Sequence, residues 1–271
     1  MAKARGIIDP GYYDALLTIA DRVLDKEFFT IGIGGAQGSG KSTVAELLAL
    51  VLADVYGISA GVLSLDDFYK TKQERQRMAA EIHPLFSVRG APGTHDMKLM
   101  NSVVDKLKAG EITEHPRFDK ANDDRCAEWE TIRPAAVLIL EGWCWGALPQ
   151  SEENLVTPVN DLERDRDTDC VWRRKVNEAL KTNEYQHAFD NDCRVFLAVP
   201  DMEAVYRWRL QQEQGLHTGS SKMNETGIRE FIMYYERITC SMLKDCPRNA
   251  DVALQLNKAH QIISFQSPFL T

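Results

Sequence analysis

A chain of 271 residues, 44% of them apolar, is long enough to bury a substantial core in one large domain or two small ones. Its 40 acidic against 32 basic side chains leave a formal charge of −8, a field that repels polyanions and speaks against a general nucleic-acid or membrane-surface binder. No apolar run approaches the ~20 residues that span a bilayer, and residues 1–10 lack the apolar core of a secretory signal. A cytoplasmic protein with neither nucleic acid nor membrane as partner is therefore expected. The six cysteines form no CxxC pair and read as buried free thiols.

Tyr12, Leu16, Ile19, Ala20 and Val23 recur at helical spacing and predict a helix over 12–27, so residues 1–27 read as a helical extension packed on the body. Residues 28–34 form a short strand-like run ending in glycines. Residues 44–56 are apolar at helical spacing without Pro or Gly, a helix with Gly57 as its C-cap. The apolar runs 60–65, 135–140 and 194–199 read as strands buried on both faces, with 252–256 as a fourth. Helical patterns at 101–108, 202–214 and 228–243 alternate with them, and Phe231, Met233, Tyr234, Tyr235 and Met242 in the last read as packing residues. This alternation predicts an α/β fold with a mostly parallel sheet covered on both sides. Residues 149–169 are polar and charged with two prolines, and read as a long loop or lid, or as a solvated surface excursion.

Gly35-Ala36-Gln37-Gly38-Ser39-Gly40-Lys41-Ser42, followed by Thr43, satisfies GxxxxGK[ST] in full. Glycines let successive backbone N–H groups turn inward around a phosphate, and the following helix adds its positive end. Lys41 is expected to reach the β- and γ-phosphates, and the Ser42 hydroxyl to ligate Mg²⁺. A guanine-reading NKxD is absent: Asn257-Lys258-Ala259-His260 lacks the aspartate.

The second strand runs into Asp66-Asp67-Phe68-Tyr69. Ligands of a doubly wound sheet bind beyond the carboxyl ends of its strands, where a general base for an acceptor hydroxyl is wanted. The pair could equally cap a helix. The third strand ends in Glu141-Gly142-Trp143, and a glutamate closing an apolar strand needs a partner such as Mg²⁺ unless the strand has reached solvent.

These strings resemble the P-loop kinase group of uridine kinase, phosphoribulokinase and bacterial pantothenate kinase, and most of all the D-glycerate 3-kinase family. The selective ones are Ser64-Leu65-Asp66-Asp67-Phe68-Tyr69, Gly93-Thr94-His95-Asp96, Pro116-Arg117-Phe118-Asp119-Lys120 and Pro158-Val159-Asn160-Asp161-Leu162-Glu163, with VYRWRLQQE at 205–213. The likeness runs from about residue 28 to about residue 256. It implies a three-layer P-loop NTPase fold with elaborated lid and substrate loops, as one kinase domain over 28–271 with a polar insertion near 149–192. It implies transfer of the γ-phosphate of ATP, with Mg²⁺, to a hydroxyl of a small acceptor, D-glycerate first. Pantothenate, a nucleoside or a sugar are alternatives, and an ATP-binding regulator without an acceptor is another. By position the resemblance makes Asp66 the catalytic base and has Glu141 assist the metal. Asp67, Tyr69, His95 and Asp96 fall within its substrate-side strings.

An anionic hydroxy acid beside a triphosphate needs fixed cations. Arg89, Arg117, Lys120 and Arg125 are candidates, with His95 as a hydrogen-bonding neighbour. Arg207 and Arg209 lie about 200° apart on one helix, so only one can face a given phosphate. The resemblance favours Arg209, although Glu213 four residues on offers it an ion pair instead.

Overall fold

Apolar runs without charge become strands covered on both faces. In the computed structural model of the protein, which describes residues 10–23, 29–215 and 223–266, they form β1 (Phe29–Gly35), β2 (Ala60–Ser64), β3 (Val137–Gly142), β4 (Cys193–Ala198) and β5 (Val252–Leu256). An edge strand, β6 (Ile262–Gln266), completes a six-stranded sheet of order β6-β5-β4-β1-β3-β2. Every pairing is parallel except β6 against β5.

The helices are α1 (Pro10–Ala20), α2 (Lys41–Tyr56), α3 (Lys72–Glu81), α4 (Met97–Lys108), α5 (Glu152–Val156), α6 (Asp161–Arg166), α7 (Val171–Lys181), α8 (Asn183–Phe189), α9 (Met202–Gly215) and α10 (Glu225–Asn249). Alternation along the strands divides the core into two layers of contact. Ile31, Ile33, Ile139 and Leu197 meet Leu48 and Leu52 of α2 and Ile19 of α1. Leu138, Leu140 and Phe196 face the other way, towards Met100 of α4, Leu180 of α7 and Ile238 of α10. On that second side β1 carries glycine because Trp145 lies directly against it. A Cβ on Gly34 would come 2.2 Å from the Trp145 carbonyl oxygen.

Two expectations change. The helix expected over 12–27 ends at Ala20, with residues 21–23 in a turn and 24–27 outside the described residues. Residues 149–169, expected as a long loop or lid, contain α5 and α6, and the insertion continues as α7 and α8. Two of the acidic side chains, Glu163 and Asp167, are buried with basic partners, while the other charges of 149–169 are exposed. Arg237 of α10 donates to both oxygens of Glu163 at 2.7 and 2.6 Å, and Arg173 of α7 reaches Asp167 at 3.2 Å. Glu163 and Asp167 escape solvent because each has a basic partner, Arg237 from the sequence-distant α10 and Arg173 from the next helix. Among the described residues no helix is long and apolar enough to cross a membrane.

Candidate active site

β1 passes into α2 through the glycine-rich loop. Gly38 (φ 75) and Gly40 (φ 92) are both left-handed, a region that glycine enters without steric cost. Gly40 caps α2 without any side-chain hydrogen bond, so the first-turn N–H groups of the helix are left for a ligand. Inside the loop the Lys41 ammonium and the Ser39 N–H both point at the Ala36 carbonyl, at 3.0 and 3.3 Å. The side-chain amide of Gln37 and the hydroxyl of Ser39 are buried with no partner. Inward donors and orphaned polar atoms are what a loop built around a polar guest shows in the guest's absence. Burial pushes the Lys41 ammonium below its ordinary value, against the pull of the Glu141 and Asp66 carboxylates.

The parallel register brings the strand ends together, placing Ser64 and Ile33 on either side of Glu141. Glu141 is only 5% exposed and accepts a hydrogen bond from the Ser42 hydroxyl at 3.0 Å. The strand therefore has not simply reached solvent. Asp66 and Asp67 lie in a single 3-10 turn, Leu65–Phe68, whose cap is Ser64, so neither aspartate is the cap. They diverge from there. Asp66 faces the loop and accepts from the Tyr69 hydroxyl at 2.8 Å and from Lys120 at 2.7 Å. Burial would raise its carboxyl, but Lys120, Tyr69 and Lys41 together bring it down to about 2. Asp67 turns away, held by Arg117 at 2.8 Å and the Phe118 N–H at 3.2 Å, and burial outweighs those partners to raise its carboxyl.

The remaining expected site residues separate in the same manner. Lys41, Ser42, Asp66, Tyr69, Arg89, Lys120, Glu141 and Arg209 line one cleft of about 220 Å³. His95 stands behind it, its ring stacked on Tyr69 with centroids 4.7 Å apart and its Nδ1 on the Tyr185 hydroxyl at 2.8 Å. His95 Nε2 is buried without a partner, and burial holds the imidazole down to about 3, against Asp66. It is therefore neutral. Asp96 and Arg125, expected on the substrate side, do not line the cleft. Asp96 caps α4 through the Leu99 N–H, and Arg125 bridges Asp96 at 3.1 Å to the Tyr69 carbonyl at 2.7 Å. Arg117 is likewise engaged with Asp67.

Arg209 faces the cleft while Arg207 is exposed elsewhere on α9. Arg209 makes the ion pair with Glu213 at 2.8 Å and lies over the Phe231 ring at 5.4 Å. Phe231 and Tyr235, expected only as packing, form part of the cleft wall, as does Gln212. The wall can close because Gly90 has no Cβ: one would fall 2.2 Å from the Tyr235 hydroxyl oxygen. Gln212 lies within the VYRWRLQQE string, whereas no motif marks Phe231 and Tyr235, which reach the cleft from α10. The arrangement presents a cationic loop, a carboxylate opposite it and a ring of further cations.

Residues 30–177 match the model of the "Phosphoribulokinase / Uridine kinase family". The chain is 34% identical over 222 residues to "Uncharacterized kinase mug58" of Schizosaccharomyces pombe, across 76% of this chain and 78% of that protein. It is 31% identical over 230 residues to "Probable ATP-dependent kinase TDA10" of Saccharomyces cerevisiae, across 76% and 74%. The structure of D-glycerate 3-kinase from Cryptococcus neoformans is similar with a TM-score of 0.77 and 27% identity, covering 93% of this chain and 98% of that one.

Proposed function

The chain belongs to the phosphoribulokinase / uridine kinase family, and from that premise we propose that it phosphorylates a hydroxyl of a small anionic acceptor with ATP, D-glycerate being the first candidate. The observation that carries this reading is Asp66. It stands just past the end of β2, in the same cleft as Lys41 and ion-paired with the exposed Lys120. A nucleotide sensor needs no carboxylate there, whereas a kinase needs one to receive the acceptor's proton.

Lys41 and the inward N–H groups of the loop hold and neutralise the phosphates. Ser42 and Glu141 supply a hydroxyl and a carboxylate, the hard oxygen donors that suit Mg²⁺. Among the described residues no group of three His, Cys, Asp or Glu side chains could hold a metal ion. Mg²⁺ is commonly held by one or two protein oxygens together with substrate phosphates, and Ser42 and Glu141 would supply such a site. Bound there, Mg²⁺ would offset charge on the transferring phosphoryl group.

Asp66 at about 2 is a weak base while Lys120 sits on it. An acceptor carboxylate competes for Lys120, and its withdrawal raises the basicity of Asp66 just where the hydroxyl arrives. Arg89 and Arg209 close the ring of charge. A screen of ATP consumption by the purified protein against D-glycerate, pantothenate, uridine and simple sugars tests the reading. Turnover with D-glycerate supports it. Silence with D-glycerate beside turnover of another acceptor refutes that choice, and no turnover with any favours a regulator.

A further inference from the structure

The turn joining β5 to β6 touches the phosphate loop. Asn257 braces this turn, its Oδ1 accepting the N–H groups of Ala259 at 2.9 Å and Gln261 at 3.0 Å. Within it His260 is held at φ 62, a left-handed conformation that a non-glycine residue adopts only at a steric cost. The turn thereby aims the imidazole at the loop. The ring stacks on Trp208 of α9 with centroids 3.7 Å apart, and its Nε2 lies 2.8 Å from the Gly38 carbonyl oxygen. A carbonyl can only accept, so Nε2 carries the proton and donates. Trp208 closes the other side: a Cβ on Gly38 would come 2.9 Å from its own Cβ, and its indole N–H reaches the Lys258 carbonyl at 3.3 Å.

Gly38 C=O and Ser39 N–H are opposite ends of one planar trans amide. Pulling the carbonyl outward onto His260 therefore turns the Ser39 N–H inward, where it converges with Lys41 on the Ala36 carbonyl. We propose that His260 is a positioning residue that pre-organises the phosphate loop through the Gly38 carbonyl, so that phosphate is bound without first reorienting that peptide. This rests on the kinase reading, in which the loop holds nucleotide phosphates. A loop already in its binding conformation does not spend binding energy on ordering itself.

The test compares the full-length wild type with His260→Phe, which keeps a ring on Trp208 but loses the donor, and with His260→Gln, whose amide nitrogen can take the place of Nε2. Calorimetric titration with ATP and with pyrophosphate gives the affinities, and thermal melts monitor the fold. Expected is a loss of ~10-fold in affinity for both ligands in His260→Phe, the size of one hydrogen bond. The melting temperature should stay near the wild-type value, and His260→Gln should recover most of the affinity. Equal affinity in His260→Phe and wild type overturns the inference, as does a His260→Gln variant no better than His260→Phe. Loss of ATP affinity with pyrophosphate affinity unchanged also overturns it, by placing the histidine on the base instead of the loop. A wild type that binds neither ligand refutes the kinase reading itself.

Discussion

Around Asp66 the chemistry depends on which donors surround one carboxylate. Lys120 and Tyr69 hold it with two hydrogen bonds, and Lys41 adds charge from across the cleft. Replacing Asp66 by Asn keeps the shape and removes the base, so turnover should drop by ~10²-fold or more while ATP still binds. Rates and ATP titrations of Asp66→Asn together decide it; unchanged turnover removes Asp66 from the mechanism. Lys120→Met takes away a charge that lowers the Asp66 carboxyl. The acid limb of its kcat/KM profile should then move to higher pH, and the KM for an anionic acceptor should rise. Asp67, one residue along, has the same chemistry and a different fate, because its oxygens face Arg117 and the Phe118 N–H. Adjacent aspartates look alike in a sequence; the turn between them sends one to the cleft and the other to a support.

Among the elements, the segment containing α5 to α7 departs furthest from expectation. Its selective strings are legible as strings, but what they do depends on partners far away in sequence, as with Arg237 on Glu163, 74 residues apart. Arg237 also donates to the carbonyls of Asn154 and Thr157, tying α10 to α5 and the residue that follows it. Glu163→Gln leaves a buried guanidinium without its counter-charge and should destabilise the fold by about 3–5 kcal/mol. Urea melts measure this, and pairing the change with Arg237→Met should recover part of the loss. Little effect of the single change would show that the network is not needed for stability. In β1, Gly34→Ala drives a methyl into the Trp145 carbonyl, and overpacking there should cost about 1–3 kcal/mol.

At the scale of the whole molecule, acid stability follows from His95. Its folded imidazole is held down to about 3, below the ordinary histidine value, chiefly by burial. Below pH ~6.5 the unfolded chain takes up a proton that the folded one refuses, so stability falls with pH by at most about 1.4 kcal/mol per unit until about pH 3. Denaturant melts at pH 7, 5 and 4 should show this slope, and His95→Gln should flatten it; an unchanged slope would mean another group is responsible. The charge of −8 is equally a property of the whole, yet Lys41, Lys120, Arg89 and Arg209 line one cleft, the last three paired there with Asp66, Asp123 and Glu213 in turn.

Legible in the chain alone are the phosphate loop, the parallel α/β layering and the carboxylates Asp66 and Glu141 where β2 and β3 finish. Each is local: contiguous residues set the loop's backbone, and a buried strand must shed its apolar run where its carboxylate begins. What tertiary contacts alone settle is that Arg117 holds Asp67 and Arg125 ties Asp96 to Tyr69 without any of Asp96, Arg117 or Arg125 lining the cleft, that Phe231 and Tyr235 wall it, and that His260 reaches Gly38. A side chain's role there is fixed by which partner arrives from a distant element, and a hydrogen bond spanning 222 positions leaves no periodicity to read.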